Sequence, residues 1–282
     1  MKKFYKDSQR RSPAMIIACV IFAIYAFTIL FVIFFGIDVS LMSAADVRKG
    51  RFFPSSVKFI NYISAWTELS EIGFSLIEMT INSLWYSAGT SFFSILFSAM
   101  ISYVVARYDY PGKRFVYGYA IVTMMIPILG ATASEIKLYK MLGIYDTQFL
   151  IFMFTSSFGE NFIIFFASYK SISWEYAEAA SIDGAGHFTV WHKIMLPQIV
   201  SPMVALFMVG FIERWGDSNT ALLYMKNHPS LASGMYIYGL RDSYNIPVYF
   251  AGFIMCMIPV LVLFLCFQKS IMDIQLDGGL KG

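Results

Sequence analysis

Ser173-Trp174-Glu175-Tyr176-Ala177-Glu178-Ala179-Ala180-Ser181-Ile182-Asp183-Gly184-Ala185-Gly186, closed downstream by Ile194-Met195-Leu196-Pro197, is the stretch on which the reading of this chain turns. Ser173 is placed to cap a helix, and Glu175 stands in its first turn, where the helix dipole favours an acid. The i, i+3, i+4, i+7 spacing sets Tyr176, Ala179, Ala180 and Asp183 on one face. Gly184 offers the left-handed residue that ends such a helix. A second short helix, about 188–195, is expected before Pro197 opens the next apolar segment. Small residues at Ala179, Ala180, Ala185 and Gly186 would let another protein's backbone approach closely. An ordinary amphipathic loop lying on a membrane surface accounts for the same pattern.

Everything around this segment is written for lipid. Of 282 residues, 58% are hydrophobic and 14% charged, against about 25% charged in a soluble domain. Phe and Tyr, 28 and 18 of them, suit lipid-facing and interfacial positions. Crossing a bilayer as a helix takes about 20 apolar residues. Runs at 14–36, 82–106, 115–134, 148–167, 197–222 and 247–267 meet that need, which predicts an all-α integral membrane protein of six transmembrane helices. The first run has a basic head, and Ser43-Ala44-Ala45 resembles a signal cleavage site. Its apolar stretch exceeds the about 7–15 residues of a signal core, so it reads as a retained helix. Pro127 in the third run and Pro259 in the sixth are expected to bend their helices.

Basic residues in short flanks set the orientation. Lys2, Lys3, Lys6, Arg10 and Arg11 precede the first run, and Arg107, Lys113 and Arg114 join the second to the third. Both flanks are therefore expected in the cytoplasm, which places 168–196 and both termini there as well. The organisation expected is a basic tail (1–13), a first helix, an outside loop (37–81), a core (82–270) containing the loop 173–197, and a cytoplasmic tail (271–282).

A net charge of +3 gives no reason to expect nucleic acid. Cys19, Cys256 and Cys266 lie in apolar stretches without ligand spacing, and His187, His192 and His228 form no HExxH pattern, so no metal site is expected. No Gly-x-x-x-x-Gly-Lys-[Ser/Thr] phosphate loop occurs in the sequence.

Glu178-Ala179-Ala180, then Asp183-Gly184-Ala185, then Ile194, Leu196, Pro197 and Pro202, resemble the EAA loop of binding-protein-dependent ABC importer permeases. The likeness runs over nearly the whole chain, from the basic N-terminus and long first outside loop to Asn82-Ser83 and the closing Gly279-Leu280-Lys281-Gly282. It is similar to the second permease of carbohydrate importers of the maltose-transporter type. The resemblance implies a type I importer permease fold in a bacterial plasma membrane. It implies that Glu178, Ala179, Ala180, Asp183, Gly184, Ala185 and Gly186 form a coupling helix docking on a dimeric ABC ATPase. The other partners it implies are a second permease completing the path and an extracellular solute-binding protein. ATP and Mg would be bound by the ATPase and no cofactor by this chain. Where the family commonly has a Trp-Asn-Asp-Phe run, this chain has Trp215-Gly216-Asp217-Ser218, so the solute stays unnamed.

Charged groups at membrane depth usually face a cavity or a partner. Glu160 and Asn161 lie about a dozen residues into the fourth run, while Glu213, Arg214, Trp215, Asp217 and Asn219 fall in the outer half of the fifth. Glu135 and Tyr139 stand at the outer end of the third. Together they are candidates for a wet path on which amides and carboxylates bond sugar hydroxyls and rings stack on sugar faces. Pairing of Glu213 or Asp217 with Arg214 for packing alone is the plain alternative. A self-sufficient secondary transporter would show inverted repeats, and a membrane enzyme would show a catalytic cluster; neither is visible here. An importer permease for a non-sugar solute remains the nearest alternative function.

Overall fold

A backbone in lipid must satisfy its own polar groups, which leaves helices as the open choice for an alternation-free apolar chain. The computed structural model describes residues 13–70, 73–126, 130–241 and 244–279, and all regular structure among them is helical. The helices are α1 (Pro13–Ser40), α2 (Ala44–Arg48), α3 (Ile60–Ser70), α4 (Leu76–Arg107), α5 (Lys113–Met125), α6 (Thr132–Met141), α7 (Leu150–Met153), α8 (Glu160–Ser171), α9 (Glu175–Ile182), α10 (His187–Val190), α11 (Val200–Trp215), α12 (Ser218–Tyr224), α13 (Leu231–Gly239) and α14 (Ile246–Gly279). The basic tail, Pro127 and residues 280–282 lie outside the described residues.

Four stretches are long and apolar enough to cross a membrane unbroken: Met15–Ser40, Leu76–Arg107, His187–Trp215 and Ile246–Gln268. These correspond to the first, second, fifth and sixth expected spans, and Pro259 stands inside α14 without ending it. The third and fourth expected spans are each split. The third gives α5 and α6, with Gly130 at φ 79° just before α6. The fourth gives α7 and α8, with Gly159 at φ 113° immediately before α8. Hydropathy averages over such breaks, because the intervening residues are apolar or small. The second span also starts earlier than expected, at Leu76, so Asn82 and Ser83 lie in its second turn.

Residues 1–71 with 238–256 form one compact unit. Here α1 is an apolar rod, with Phe22 71% and Phe27 68% exposed, a surface that needs lipid or another helix against it. The expected outside loop is partly helical. Asn61 Nδ2 donates to the Ser40 and Met42 carbonyls, both at 2.8 Å, closing the C-terminus of α1. Asp46 is buried and accepts from Ser43 Oγ (2.7 Å), Ser55 Oγ (2.8 Å) and Arg51 Nη1 (3.0 Å). Those hydroxyls, Ser43 first, hold its carboxyl well below the usual carboxylate range.

Residues 72–237 with 257–282 form the second unit. Its axis is α4, which lies against both α8 and α11. Ser83, Ser87, Ser91, Ser94, Ser98 and Ser102 recur at spacings of three and four and are all buried. Ser94 Oγ accepts from Ser156 N (3.1 Å), Ser98 Oγ donates to the carbonyls of Ser156 (3.2 Å) and Ser157 (3.0 Å), and Ser102 Oγ donates to the Phe162 carbonyl (2.9 Å). The gap between α7 and α8 is therefore tolerated because α4 supplies the partners that lipid cannot.

Candidate functional site

The 173–197 segment keeps only part of its expected local chemistry. Ser173 does not cap α9 as expected: the N-cap is Trp174, which makes no side-chain cap bond, and Ser173 Oγ accepts from Glu175 N at 3.3 Å as a turn just ahead of it. At the other end Gly184 has φ 82°. Ala185 N donates to Ala180 O (2.9 Å) and Gly184 N to Ser181 O (3.1 Å), the paired bonds of a Schellman stop. The second helix does not end before Pro197, as the sequence had suggested. From His187 the chain stays helical to Trp215, passing through a π turn (Trp191–Met195) and a 3-10 turn (Leu196–Ile199). Proline lacks an N–H, and the altered turns absorb that loss without breaking the rod. Gln198 Nε2 donates to the Ile194 carbonyl at 2.9 Å in the same region.

One face of α9 is anchored and the other is free. Ala177 is 1% exposed and packs with Tyr169, Val190, Trp191 and Met195, while Ala180 and Ala185 lie half-buried against the same cluster. Ala180 and Ala185 are therefore only partly exposed, unlike Ala179 and Gly186. Glu178, Ala179, Asp183, Gly184 and Gly186 are exposed. Beside them stand Tyr176, 57% exposed on the face that spacing gave it, and two large apolar residues that spacing had not marked, Ile182 at 86% and Phe188 at 66% exposed. The loop is strapped down from α4. Arg107 Nη2 donates to the Ile172 carbonyl and its guanidinium lies 5.4 Å from the Trp174 ring centre. Tyr108 Oη pairs with His187 Nδ1 at 3.0 Å, and Trp191 Nε1 donates to Tyr169 Oη at 3.3 Å.

The polar candidates divide. Glu213, Arg214 and Asp217 line a cavity of about 230 Å³ together with Tyr86 and Phe154. The fifth span ends at Trp215, and Asp217 caps α12 by accepting from Thr220 N at 3.1 Å. Its other oxygen accepts from Tyr86 Oη at 3.5 Å. Arg214 folds back to donate to the Gly210 carbonyl at 3.2 Å. A Cβ on Gly210 would stand 3.0 Å from Arg214 Nη1 and 3.3 Å from Ser91 Oγ, so glycine is what lets that side chain lie there. Glu135 and Tyr139 join the neighbouring aromatic cluster: Glu135 accepts from Tyr224 Oη at 2.7 Å, and Tyr139, Phe154 and Tyr224 meet ring to ring. Burial, and then the bond to Glu135, pushes the Tyr224 phenol up to about 12, so it remains a donor at neutral pH.

Trp215 does not line the cavity; it is buried and stacks on Phe211 at 5.4 Å. Asn219 is exposed on α12, and Glu160 and Asn161 form the first turn of α8, away from the cavity lining. Tyr86, Phe154 and Tyr224 were missed, since an aromatic residue in an apolar run gives no signal of its own. Two carboxylates, a guanidinium and two aromatic side chains thus share the lining of this cavity.

The chain is 27% identical over 251 residues to the trehalose transport system permease protein SugB of Mycobacterium tuberculosis, covering 87% of this chain and 90% of that one. It is 25% identical over 280 residues to the melibiose/raffinose/stachyose import permease protein MelC of Bacillus subtilis, covering 96% and 99%. Its fold matches a chain in the crystal structure of a bacterial ABC transporter involved in import of the acidic polysaccharide alginate, with a TM-score of 0.77, 23% identity and coverage of 91% and 95%. Residues 4–271 match the family model of the binding-protein-dependent transport system inner membrane component. The chain is a multi-pass membrane permease subunit, a transport component and not an enzyme, and it belongs to the family of binding-protein-dependent transport system inner membrane components.

Proposed function

We propose that this chain is one of two permease subunits of an ATP-driven importer for a sugar, with oligosaccharides favoured, and that α9 and its cap dock on a separate ATPase. The observation that carries this is the free face of the loop: Tyr176, Ala179 and Ile182 stand exposed beside Glu178 and Asp183 on a helix whose other face is locked to the core. Exposed apolar residues ringed by charge mark a protein-docking surface. The cytoplasm is its side of the membrane, by the distribution of basic flanks. In this reading α5–α6 and α7–α8 make the third and fourth crossings.

Closure of an ATPase dimer, driven by ATP and Mg bound there, would be delivered through α9 to the rod His187–Trp215. That rod ends beside the cavity holding Glu213, Arg214 and Asp217. A push at one end of a stiff helix is felt at the other, so loop and path are joined by one element. A second permease supplies the other half of the path, and an extracellular binding protein delivers the solute. The sugar assignment is supported by the names of the relatives and by the hydroxyl-bonding groups and rings of the cavity.

ATP hydrolysis and sugar uptake measured side by side in vesicles carrying the reconstituted transporter test the coupling. Glu178→Ala or Gly184→Leu should leave the chain inserted and the ATPase turning over while uptake falls at least tenfold. Uptake at the unaltered level in both variants would sink the assignment.

A further inference from the structure

Apart from the loop and the polar path, a separate cavity joins a basic rim to an apolar wall. It measures about 370 Å³ and opens where α4 gives way to α5, lined by Val105, Asp109, Lys113, Arg114, Tyr117 and Phe166. Its inner wall is apolar: Val105 is buried, and the Tyr117 and Phe166 rings lie 4.9 Å apart. Its rim is cationic. Lys113 and Arg114 stand there, and Lys170 Nζ lies 5.8 Å from the Phe166 ring centre. The one carboxylate present, Asp109, pairs with Lys113 at 2.8 Å. That hydrogen bond, with a weaker contribution from Lys170, holds its carboxyl below the usual range.

Arg114 on the rim and Lys170, beside the lining residue Phe166, form no ion pair among the described residues, so two surplus positive charges stand at or next to this cavity. Local folding rules do not ask for this arrangement. The first turn of α5 carries no acid and two bases, against the preference of the helix dipole. The place also matters: the unbroken span Leu76–Arg107 ends here, and the end of a span is where a chain comes within reach of lipid headgroups.

We infer that this cavity binds an anionic phospholipid, its phosphate held by Arg114 and Lys170 and an acyl chain lying against Tyr117 and Phe166. Basic pockets between membrane helices bind acidic headgroups for this reason. Basic residues that only orient a chain need no aromatic-walled cavity behind them. A free phosphate ion would meet the same cations but gain nothing from the rings.

Native mass spectrometry of the full chain in its assembled transporter, extracted in mild detergent, tests this with phosphatidylglycerol and phosphatidylcholine as probes. Phosphatidylglycerol should be retained and phosphatidylcholine should not. Arg114→Gln and Lys170→Gln should each weaken retention about fivefold, at about 1 kcal/mol per cation near an anionic lipid. Asp109→Asn should strengthen it, a change of opposite sign that misfolding does not produce. The charge-preserving pair Arg114→Lys and Lys170→Arg should bind as the unaltered chain does. Equal retention of both lipids, or retention untouched by the two glutamine changes, would overturn the proposal. Displacement of the lipid by millimolar inorganic phosphate would assign the site to a free anion instead.

Discussion

At the scale of single residues, the loop shows which kinds of information travel in a sequence. Gly184 was legible because a helix followed by a left-handed turn has few other candidates, and its φ of 82° bears that out. Nothing crowds a Cβ there, so the cost of Gly184→Leu is backbone strain of about 1 kcal/mol and not a clash. The partial burial of Ala180 was not legible, because spacing says which residues share a face, not which face meets the core. Here alanine goes inward and Tyr176 and Ile182 outward, the reverse of the usual preference. Arg107 makes the strap that holds the loop, and removing it orphans the Ile172 carbonyl and uncovers Trp174. Arg107→Ala should cost about 1–3 kcal/mol, seen as a lower melting temperature in detergent, with Arg107→Lys recovering only part because a lysine has no planar fork to lay on the indole.

At the scale of elements, α4 determines how broken helices survive in lipid. Its serines divide into two groups that should respond oppositely to substitution. Ser98 bonds backbone carbonyls at the interruption between α7 and α8, and Ser102 bonds the Phe162 carbonyl in the first turn of α8. Each change to alanine there should destabilise by about 1 kcal/mol, checked by thermal melting of the detergent-solubilised chain. Ser87 Oγ is buried without a hydrogen-bond partner among the described residues, so Ser87→Ala should be neutral or stabilising in the same assay. The serine spacing was present in the sequence all along. It went unread because hydroxyl residues in a membrane helix ordinarily bond their own backbone, and only the position of 156–162 shows what these ones face. The rod His187–Trp215 carries the matching lesson: Pro197 looked like a boundary, yet π and 3-10 turns carry the helix through it.

At the scale of the whole molecule, two exposed surfaces ask for cover of different kinds. Lipid or another membrane helix suits α1, which is apolar all round; α9 is apolar at Tyr176 and Ile182 and charged beside them, which suits a soluble partner. Cysteine placed at Ile182 should react with a membrane-impermeant maleimide from the cytoplasmic side only, and slow at least fivefold once the ATPase is bound. Labelling from outside would overturn the orientation, and an unchanged rate with ATPase present would overturn the docking face. Asp217→Asn should reduce sugar uptake while leaving the ATPase bound, since Asp217 lies in the cavity and far along the rod from the loop; this is read by uptake together with co-purification.

The sequence by itself determined the class of this protein, because the scarcity of charge and the length of the apolar runs leave helices in a bilayer as the outcome. It also determined where the helix of the 173–186 loop stops, because a left-handed glycine acts through local backbone chemistry. Only the tertiary structure decided which runs cross unbroken, which face of α9 is free, and which polar residues share a cavity. Those outcomes depend on groups far apart in the chain: Ser98 beside 156–157, Tyr86 beside Asp217, and Arg107 beside Ile172. Periodicity within one segment carries no term for its neighbours, and each of these pairings is a choice between segments.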